Sequence, residues 1–323
     1  MNLQQQLSSV FNHARPRWWQ GASMVVLSLM ALSINPVATA KSVAFSFDDG
    51  VNPAVMADAA QVNATLLAKL AADQVTAIMY PALVKTGTAE GLDLVADWGK
   101  AGHRVGNHSD QHLNLNKPET TLTAYLNSMA VAEQRLNTLP GWTARYRFPF
   151  LKEGATVEKR EGVRAWLRER HYGSGAVTID ASDWYYNQLY RHHLARADEA
   201  ALAKLKRAYV AHIVARAHYY DALAQTVLGY GPKHVLLLHV NHINAAYIDA
   251  VILALKQDDW QIIDSDSAYQ DPVYQREVAT LPAGESLIWA LAKAEGHKGL
   301  RYPAEDAPYE HANLKAHGLA PLP

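Results

Sequence analysis

Two histidines and two neighbouring aspartates are the residues best suited to bind a metal ion. His108 and His112 lie four positions apart in the segment GNHSDQHLN, so a single helical turn would point both imidazoles to one side. Asp48 and Asp49 lie in the segment FSFDDG, just before its final glycine, and could supply a third ligand. Two histidines and one carboxylate form a ligand set of catalytic zinc sites, in which a position stays open for water. Each pattern alone is weak, because Asp-Asp-Gly is usually only a turn.

The two aspartates can divide the chemistry between them. Adjacent residues that leave a strand point in different directions, so one carboxylate can bind the metal while the other accepts a proton. Gly50 follows them and would let the backbone turn sharply beside the site. This arrangement predicts a cation next to a general base.

The composition excludes several other kinds of protein. The chain has 323 residues, 49% of them hydrophobic, and a formal net charge of -1. A near-neutral chain lacks the basic surplus that neutralises phosphates, so we expect no nucleic-acid partner. Fifteen histidines occur beside zero cysteines. Any metal must therefore be held by His, Asp or Glu.

The N-terminus has the pattern of a signal peptide. Arg15 and Arg17 precede a charge-free span, 18–40, that closes on Ala-Thr-Ala, and cleavage is expected after Ala40. An uncleaved anchor is the alternative, but the strongly apolar part, 24–34, is short of the roughly 20 residues of a spanning helix. We expect an exported protein, periplasmic or secreted, without a stable membrane span after cleavage.

Beyond residue 41 short apolar stretches alternate with longer amphipathic ones. Strands are predicted at 42–47, 75–80, 103–107, 144–148, 176–179, 234–238 and 260–264, and helices at 53–73, 90–101, 118–138, 156–170, 186–228 and 244–257. Such alternation requires parallel strands covered by helices, either in a barrel or in an open doubly wound sheet. The segment 185–231 is longer than one barrel helix requires, which predicts two helices packed outside the barrel.

Polar residues follow the predicted strands at their C-terminal ends. Asp48 and Asp49 follow the first strand, His108 the third and His239 the sixth, while 147–150 and 180–184 follow the fourth and fifth. In parallel barrels the loops at this edge converge on one mouth, where active sites are built. These residues are therefore predicted to meet.

Five motifs in order resemble those of the polysaccharide deacetylases with a NodB homology domain, the carbohydrate esterase family 4 type. They are Ser46-Phe47-Asp48-Asp49-Gly50, His108-Ser109-Asp110-Gln111-His112, Arg147-Phe148-Pro149-Phe150, Asp180-Ala181-Ser182-Asp183-Trp184 and Val235-Leu236-Leu237-Leu238-His239. The resemblance covers roughly 42–270. It implies an α/β fold, a distorted (β/α)7 TIM-like barrel, here with an extra helical segment before the sixth strand, and metal-dependent removal of acetyl groups from N-acetylated sugars.

The resemblance also implies residue roles. Asp49, His108 and His112 would hold one divalent metal ion, with zinc in first place and cobalt or iron as alternatives. The metal would activate a water molecule and polarise the acetyl carbonyl. Asp48 would be the general base, oriented by Arg147. His239 would be the general acid, with its pKa raised by Asp183.

Three further residues would contact the substrate. The backbone N–H of Phe150 would stabilise the oxyanion, Leu237 would shape an acetate-sized pocket, and Trp184 would line the sugar groove. The sequence departs from the family at two positions, with Ser46 where threonine is usual and Phe150 where tyrosine is usual. Neither departure removes an implied ligand, base or acid.

Three regions follow from this interpretation: a signal peptide at 1–40, a NodB-like deacetylase barrel at 41–270, and a C-terminal helix and tail at 271–323 that pack on the barrel or trail from it. The expected partner is an acetylated glycan, for which a chitin-like polymer, peptidoglycan and an exopolysaccharide remain open. The oligomeric state also remains open.

Other functions fit the same motifs. The same machinery could serve an O-acetyl esterase of the xylan type or a hydrolase of another C–N bond. A non-catalytic glycan-binding protein or a periplasmic metal-binding protein are alternatives from a different class. Acetate release and its sensitivity to a chelator would separate them.

Overall fold

A parallel sheet curled around a buried core forms the centre of the molecule. The computed structural model describes residues 41–301 and 303–322. In the main sheet the strand order is β6-β4-β3-β2-β1-β7, all neighbours are parallel, and β8 pairs with the first residues of β1. The strands are β1 (Ser42–Asp49), β2 (Ile78–Pro81), β3 (Arg104–Asn107), β4 (Trp142–Tyr146), β5 (Lys152–Gly154), β6 (Gly173–Ser174), β7 (Lys233–His239), β8 (Gln261–Ile262) and β9 (Ala283–Gly284).

The segment after β6 closes the sheet into a barrel. β6 pairs with β4 on one side, and Ile179 a few residues later forms a parallel bridge with Leu236 of β7. The backbone N–H groups of Thr178 and Ile179 both donate to Val235. The predicted fifth strand, 176–179, is thus a short bridge that completes the ring. The α/β fold class and the distorted barrel predicted from the motifs are confirmed.

Helices cover the barrel. They are α1 (Ala59–Ala72), α2 (Leu83–Thr86), α3 (Ala89–Lys100), α4 (Leu122–Leu136), α5 (Val157–Glu169), α6 (Asp183–Leu194), α7 (Glu199–Leu228), α8 (His242–Gln257), α9 (Ser265–Ala268), α10 (Leu287–Ala294) and α11 (His311–Ala316), with 3-10 turns at Pro149–Leu151, Pro272–Gln275 and Ala307–Glu310. The start predicted for the first helix was wrong, because Asn52 accepts a hydrogen bond from Ala54 within a turn and the helix begins only at Ala59.

The central strands are buried on both faces, which explains their continuous apolar stretches. In β1 the side chains from Val43 to Phe47 are fully buried, and Leu236 and Leu238 of β7 are buried equally. β1 and β7 pair along their length, with Asp48 opposite His239. The register of two core strands therefore places two predicted site residues side by side at the carboxyl edge.

The two helices predicted between the fifth and sixth strands are present as α6 and α7. In the C-terminal region β9 pairs with β5 in a small antiparallel sheet, and Ile288 and Leu291 of α10 are buried in the main core. This small sheet was not predicted, because strands of two and three residues carry no periodic signal in the sequence.

None of the helices in the described part of the chain is both long and apolar enough to cross a bilayer. The signal peptide predicted at 1–40 lies outside the described residues.

Candidate functional site

The predicted site residues converge on one cavity at the carboxyl edge of the barrel. Its volume is about 380 Å³, within the range of roughly 300–1,000 Å³ that small-ligand sites occupy. Its lining includes eight residues singled out from the sequence, namely Asp48, Asp49, His108, His112, Phe150, Trp184, Leu237 and His239. Arg147 and Asp183 are almost completely buried beneath the cavity lining. Arg147 forms a hydrogen bond with Asp48, and Asp183 forms one with His239.

Asp49, His108 and His112 bring their donor atoms together. The Nε2 atom of His112 lies 3.2 Å from Oδ1 of Asp49, and that of His108 lies 3.9 Å from the same oxygen. One donor atom from each residue lies within 4.8 Å of the other two. Oδ1 of Asp49 is buried and, within the described chain, accepts no hydrogen bond. Three donors this close can share one cation.

The surroundings of His108 fix which of its nitrogens faces the cluster. Nδ1 of His108 lies 2.7 Å from the carbonyl oxygen of Arg147, and because a carbonyl only accepts, Nδ1 carries the hydrogen. Nε2 then presents a lone pair toward Asp49, as metal-binding histidines do. Burial lowers the pKa of both His108 and His112, so both imidazoles are neutral, the form that binds metals.

The carboxylate of the cluster is ionised. Burial raises the pKa of Asp49, but the positive charges of His239 and Lys85 oppose burial and the net pKa is lowered. An ionised carboxylate beside two neutral imidazoles fits a divalent cation. Lys85 also approaches, with its Nζ 3.5 Å from Oδ2 of Asp49.

Tight turns, and not a helix, bring the two histidines together. The structure has no helix between Asn107 and His112, and Ser109 and His112 have φ angles of 69° and 51°. The turn is held by Ser109, whose N–H donates to Oδ1 of Asn107 and whose hydroxyl accepts from the N–H of His112. The expected helical turn was therefore wrong, although the two rings do meet, with centroids 4.9 Å apart.

Asp48 is buried beside the cluster and bound by Arg147. Nη1 of Arg147 lies 2.8 Å and 3.1 Å from the two carboxylate oxygens, and Nη2 donates to the hydroxyl of Ser46 at 3.0 Å. That hydroxyl donates onward to the carbonyl of Leu236. Burial raises the pKa of Asp48 to about 6, although Arg147 opposes the rise. Above that pH Asp48 is a buried carboxylate able to accept a proton.

His239 is positively charged at neutral pH, because the carboxylate of Asp183 binds its imidazole ring. Nδ1 of His239 is 2.8 Å from Oδ1 of Asp183, whose other oxygen accepts hydrogen bonds from the His239 N–H and from the side chains of Asn241 and Asn244. Burial lowers the pKa of His239, but Asp183 outweighs burial and raises it to about 10. At neutral pH His239 is a proton donor.

Aromatic side chains flank the cavity. Phe150 is 54% exposed and Trp184 is 37% exposed, so both rings offer apolar surface to a ligand in the cavity. The Phe150 ring stands edge-on to His112 with centroids 4.5 Å apart. Its φ angle is 57°, a conformation that a bulky residue rarely adopts. Leu237 lies in the floor and is almost fully buried.

Several residues of the cavity were not predicted from the sequence, namely Lys85, Lys152, Glu285 and Glu305. Asn241 and Asn244, which follow the predicted acid and were candidates for the mouth, instead bind Asp183 behind the cavity. The N-cap pattern of Asn241 before α8 was a detectable signal, since its side chain accepts from the N–H of Asn244. Glu285 and Glu305 had no such signal, because they come from the C-terminal region and reach the cavity only through tertiary packing.

The fold and the site together define a parallel α/β barrel with a candidate metal centre and an acid–base pair at its carboxyl edge. Residues 36–164 match the family model described as polysaccharide deacetylase. The match covers the first three of the five motifs and confirms the resemblance there, and it supports a deacetylase activity. A search of curated protein sequences found no match.

Solved structures of carbohydrate deacetylases are similar to this chain. The polysaccharide deacetylase Bc1974 from Bacillus cereus is 24% identical, with 70% of this chain and 94% of that chain covered and a TM-score of 0.49. The family 4 carbohydrate esterase from Streptomyces lividans, in complex with acetate, is 19% identical over 69% and 91%, with a TM-score of 0.45. A mutant of BA3943, a CE4 family pseudoenzyme with restored enzymatic activity, is 16% identical over 72% and 68%, with a TM-score of 0.49.

Proposed function

We propose that this protein is an exported, metal-dependent hydrolase that removes N-acetyl groups from an N-acetylated oligosaccharide or polysaccharide. The observation that carries the proposal is the convergence of Asp49, His108 and His112 beside a buried base, Asp48, and a protonated histidine, His239. These groups supply what amide hydrolysis needs: activation of water, stabilisation of charge and protonation of the leaving amine.

Asp49, His108 and His112 are the proposed metal ligands. One divalent ion, zinc in first place, would supply Lewis acidity there and lower the pKa of water. Cobalt and iron accept the same ligands, so availability decides between them.

Asp48 is the proposed general base. Its carboxylate accepts a proton from the attacking water as the water oxygen forms a bond to the acetyl carbon. Arg147 restrains both oxygens of that carboxylate, and Ser46 restrains Arg147. The base therefore enters the reaction already oriented, which lowers the entropic cost of the step.

His239 is the proposed general acid. When the C–N bond breaks, its Nε2 proton goes to the nitrogen of the leaving sugar amine, and acetate and a free amine are the products. Amines leave poorly without this proton. Asp183 holds the imidazole by Nδ1 and stabilises its charged form, so the proton is present at neutral pH.

The remaining residues would bind the substrate. The backbone N–H of Phe150 is the proposed donor to the oxyanion, and Leu237 forms the apolar floor against which an acetyl methyl group would pack. The ring of Trp184 offers an exposed apolar face for a pyranose. The proposed export rests on the basic and apolar pattern of the first forty residues.

Acetate release from a panel of N- and O-acetylated glycans tests this proposal. We expect the wild type to release acetate from N-acetylated glycans, to lose activity with a chelator and to regain it with zinc. Asp48→Asn should lower kcat by roughly 10²- to 10⁴-fold while it still binds metal. Release from O-acetylated glycans alone would indicate an esterase, and full activity of Asp48→Asn would remove Asp48 from its role.

A further inference from the structure

We propose that His212 and Glu310, two buried residues outside the five motifs, position the loop that carries Asp183. Asp183 in turn holds the proposed general acid, His239. This inference rests on the deacetylase function proposed above and names positioning residues for that reaction. His212 lies in the middle of α7, and Glu310 ends the 3-10 turn before α11. Both belong to segments outside the barrel strands, and both reach the site through Ser182, the residue before Asp183.

Ser182 is the point where the loop meets these outer segments. The barrel pairing of this stretch ends near Ile179, whose carbonyl accepts from the N–H of Leu237. The N–H of Ser182 donates to Nε2 of His212 at 3.0 Å, and its hydroxyl lies 3.2 Å from Oε1 of Glu310. Ser182 and both partners are almost fully buried. Hydrogen bonds in such low-dielectric surroundings hold their groups firmly.

The partners of His212 fix its tautomer. Because a backbone N–H only donates, Nε2 of His212 is the acceptor and the ring hydrogen is on Nδ1. Nδ1 lies 2.8 Å from Oε2 of Glu310, which also accepts from the hydroxyl of Tyr186 at 3.0 Å. The other oxygen of Glu310 lies 3.1 Å from Nη2 of Arg301. A chain of hydrogen bonds and ion pairs thus runs from the guanidinium of Arg301 to the backbone of Ser182.

The chain matters for catalysis because the carboxylate of Asp183 must stay in register with His239. Oδ1 of Asp183 lies 2.8 Å from Nδ1 of His239, and Oδ2 accepts from the backbone N–H of the same residue. Asp183 is the first residue of α6, so a shift of Ser182 moves it directly. A misplacement of about 1 Å can cost roughly 100-fold in rate. His212 and Glu310 do not line the cavity and act only through this loop.

A second metal site is the rival interpretation of this region, because His212, Glu305 and Glu310 offer three donors within 4.8 Å of one another. The donors already have partners. Nε2 of His212 accepts from Ser182, and Nη2 of Arg301 lies 3.1 Å from an oxygen of each glutamate. A guanidinium therefore supplies the positive charge that a metal would bring.

His103 provides a matched control for His212. Both residues are 3% exposed, and in each a ring nitrogen accepts from a backbone N–H, which for His103 is that of Ala77 at 3.1 Å. His103 precedes β3 and Ala77 precedes β2, so this pair lies at the amino ends of the strands, opposite the cavity. Loss of either histidine should lower stability, whereas only loss of His212 should affect the acid.

The test is a double-mutant cycle with N-acetylglucosamine oligomers as substrate. We expect His212→Leu to lower kcat about tenfold with a smaller effect on KM. His212→Gln, whose amide can accept from Ser182 and donate to Glu310, should restore most of the loss. In an Asp183→Asn background His212→Leu should change kcat less than about twofold, because its route to the acid is already broken. His103→Leu should lower Tm and leave kcat unchanged.

A fall in kcat of the same size in both backgrounds would overturn the proposal, and so would an equal fall in His103→Leu. If His212→Leu does not fold, Glu310→Gln gives the same comparison, because it keeps the volume of the side chain and removes the charge that orients His212. It should lower kcat in the wild type and leave it unchanged in the Asp183→Asn background.

Proton NMR gives a readout that does not depend on turnover. The Nδ1 proton of His239, held by Asp183, should give a downfield resonance that is protected from exchange with water, and its loss in Asp183→Asn assigns it. We expect this resonance to broaden or disappear in His212→Leu and to persist in His103→Leu. An unchanged resonance in His212→Leu would overturn the inference. Absence of acetate release by the wild type would instead count against the proposed function, and the NMR comparison would still be valid.

Discussion

Nη1 of Arg147 lies within hydrogen-bond distance of both oxygens of Asp48, at 2.8 Å and 3.1 Å, and both residues are almost completely buried. This pair joins the end of β1 to the end of β4 across the rim of the barrel. Removal of one partner from a buried ion pair leaves an uncompensated charge, which costs more free energy than loss of the whole pair.

The stability of the Arg147–Asp48 pair should therefore be strongly non-additive. We expect Arg147→Met to lower the free energy of unfolding by about 3–5 kcal/mol, because Asp48 then stays buried without a cation. Asp48→Asn added to Arg147→Met should recover much of this loss, since the amide has no charge. Denaturant unfolding of both single variants and the double variant measures the coupling. A double variant no more stable than Arg147→Met would contradict this account of the pair.

The three proposed ligands should bind zinc as a unit. A ligand that binds only the folded state stabilises it by about 2.7 kcal/mol at a hundred times its Kd, so zinc should raise the Tm of the chelator-treated wild type. His112→Ala should abolish that rise and lower the bound zinc measured by elemental analysis.

His218→Ala is the control for the zinc experiment. His218 is an exposed histidine on α7 whose ring pairs with Asp258, away from the cavity. We expect this variant to bind one zinc ion per chain, as the wild type should. Equal zinc content in the His112→Ala and His218→Ala variants would remove His112 from the ligand set.

Local signals in the sequence explain why so much of the site could be predicted. The apolar stretch of β1 ends at Asp48, and that of β7 ends at His239, so alternation of strands and helices was enough to place both at one edge. The polar residues after the other strands follow the same rule. The motifs added the roles, which periodicity alone cannot assign.

The features that were missed depend on contacts between distant segments. The β5–β9 pair joins residues more than a hundred positions apart, and Glu305 reaches the cavity through Arg301 and Ser182. The turn at His112 depends on the hydroxyl of Ser109 and not on helical spacing. None of these contacts produces a period in the sequence, so pattern analysis could not identify them.

The pair His239–Asp183 should set the alkaline limit of activity. Asp183 outweighs burial and raises the pKa of His239 to about 10, above its usual value, so the protonated acid persists from neutral pH until about pH 10. The pair likewise stabilises the fold below the unfolded pKa of roughly 6.5, and this contribution is lost as the pH rises through about 10.

Asp183→Asn should move the alkaline limb of the kcat/KM profile to lower pH by more than one unit, because the amide cannot stabilise an imidazolium ion. Profiles of wild type and variant on one N-acetylated oligomer measure the shift, with Tm recorded across the same pH range to separate it from unfolding. An alkaline limb at the same pH in both proteins would show that His239 is not the acid whose deprotonation limits the reaction.

Trp184 should contribute to binding more than to turnover. Its ring is 37% exposed at the edge of the cavity, where it can pack against the apolar face of a pyranose, a contact worth about 1 kcal/mol or fivefold in affinity. We expect Trp184→Ala to raise KM by about fivefold and leave kcat nearly unchanged. Leu253→Ala on α8 removes another exposed apolar residue, 54% exposed, that does not line the cavity, and should change neither constant. A fall in kcat without a change in KM would instead place Trp184 among the groups that act in the transition state.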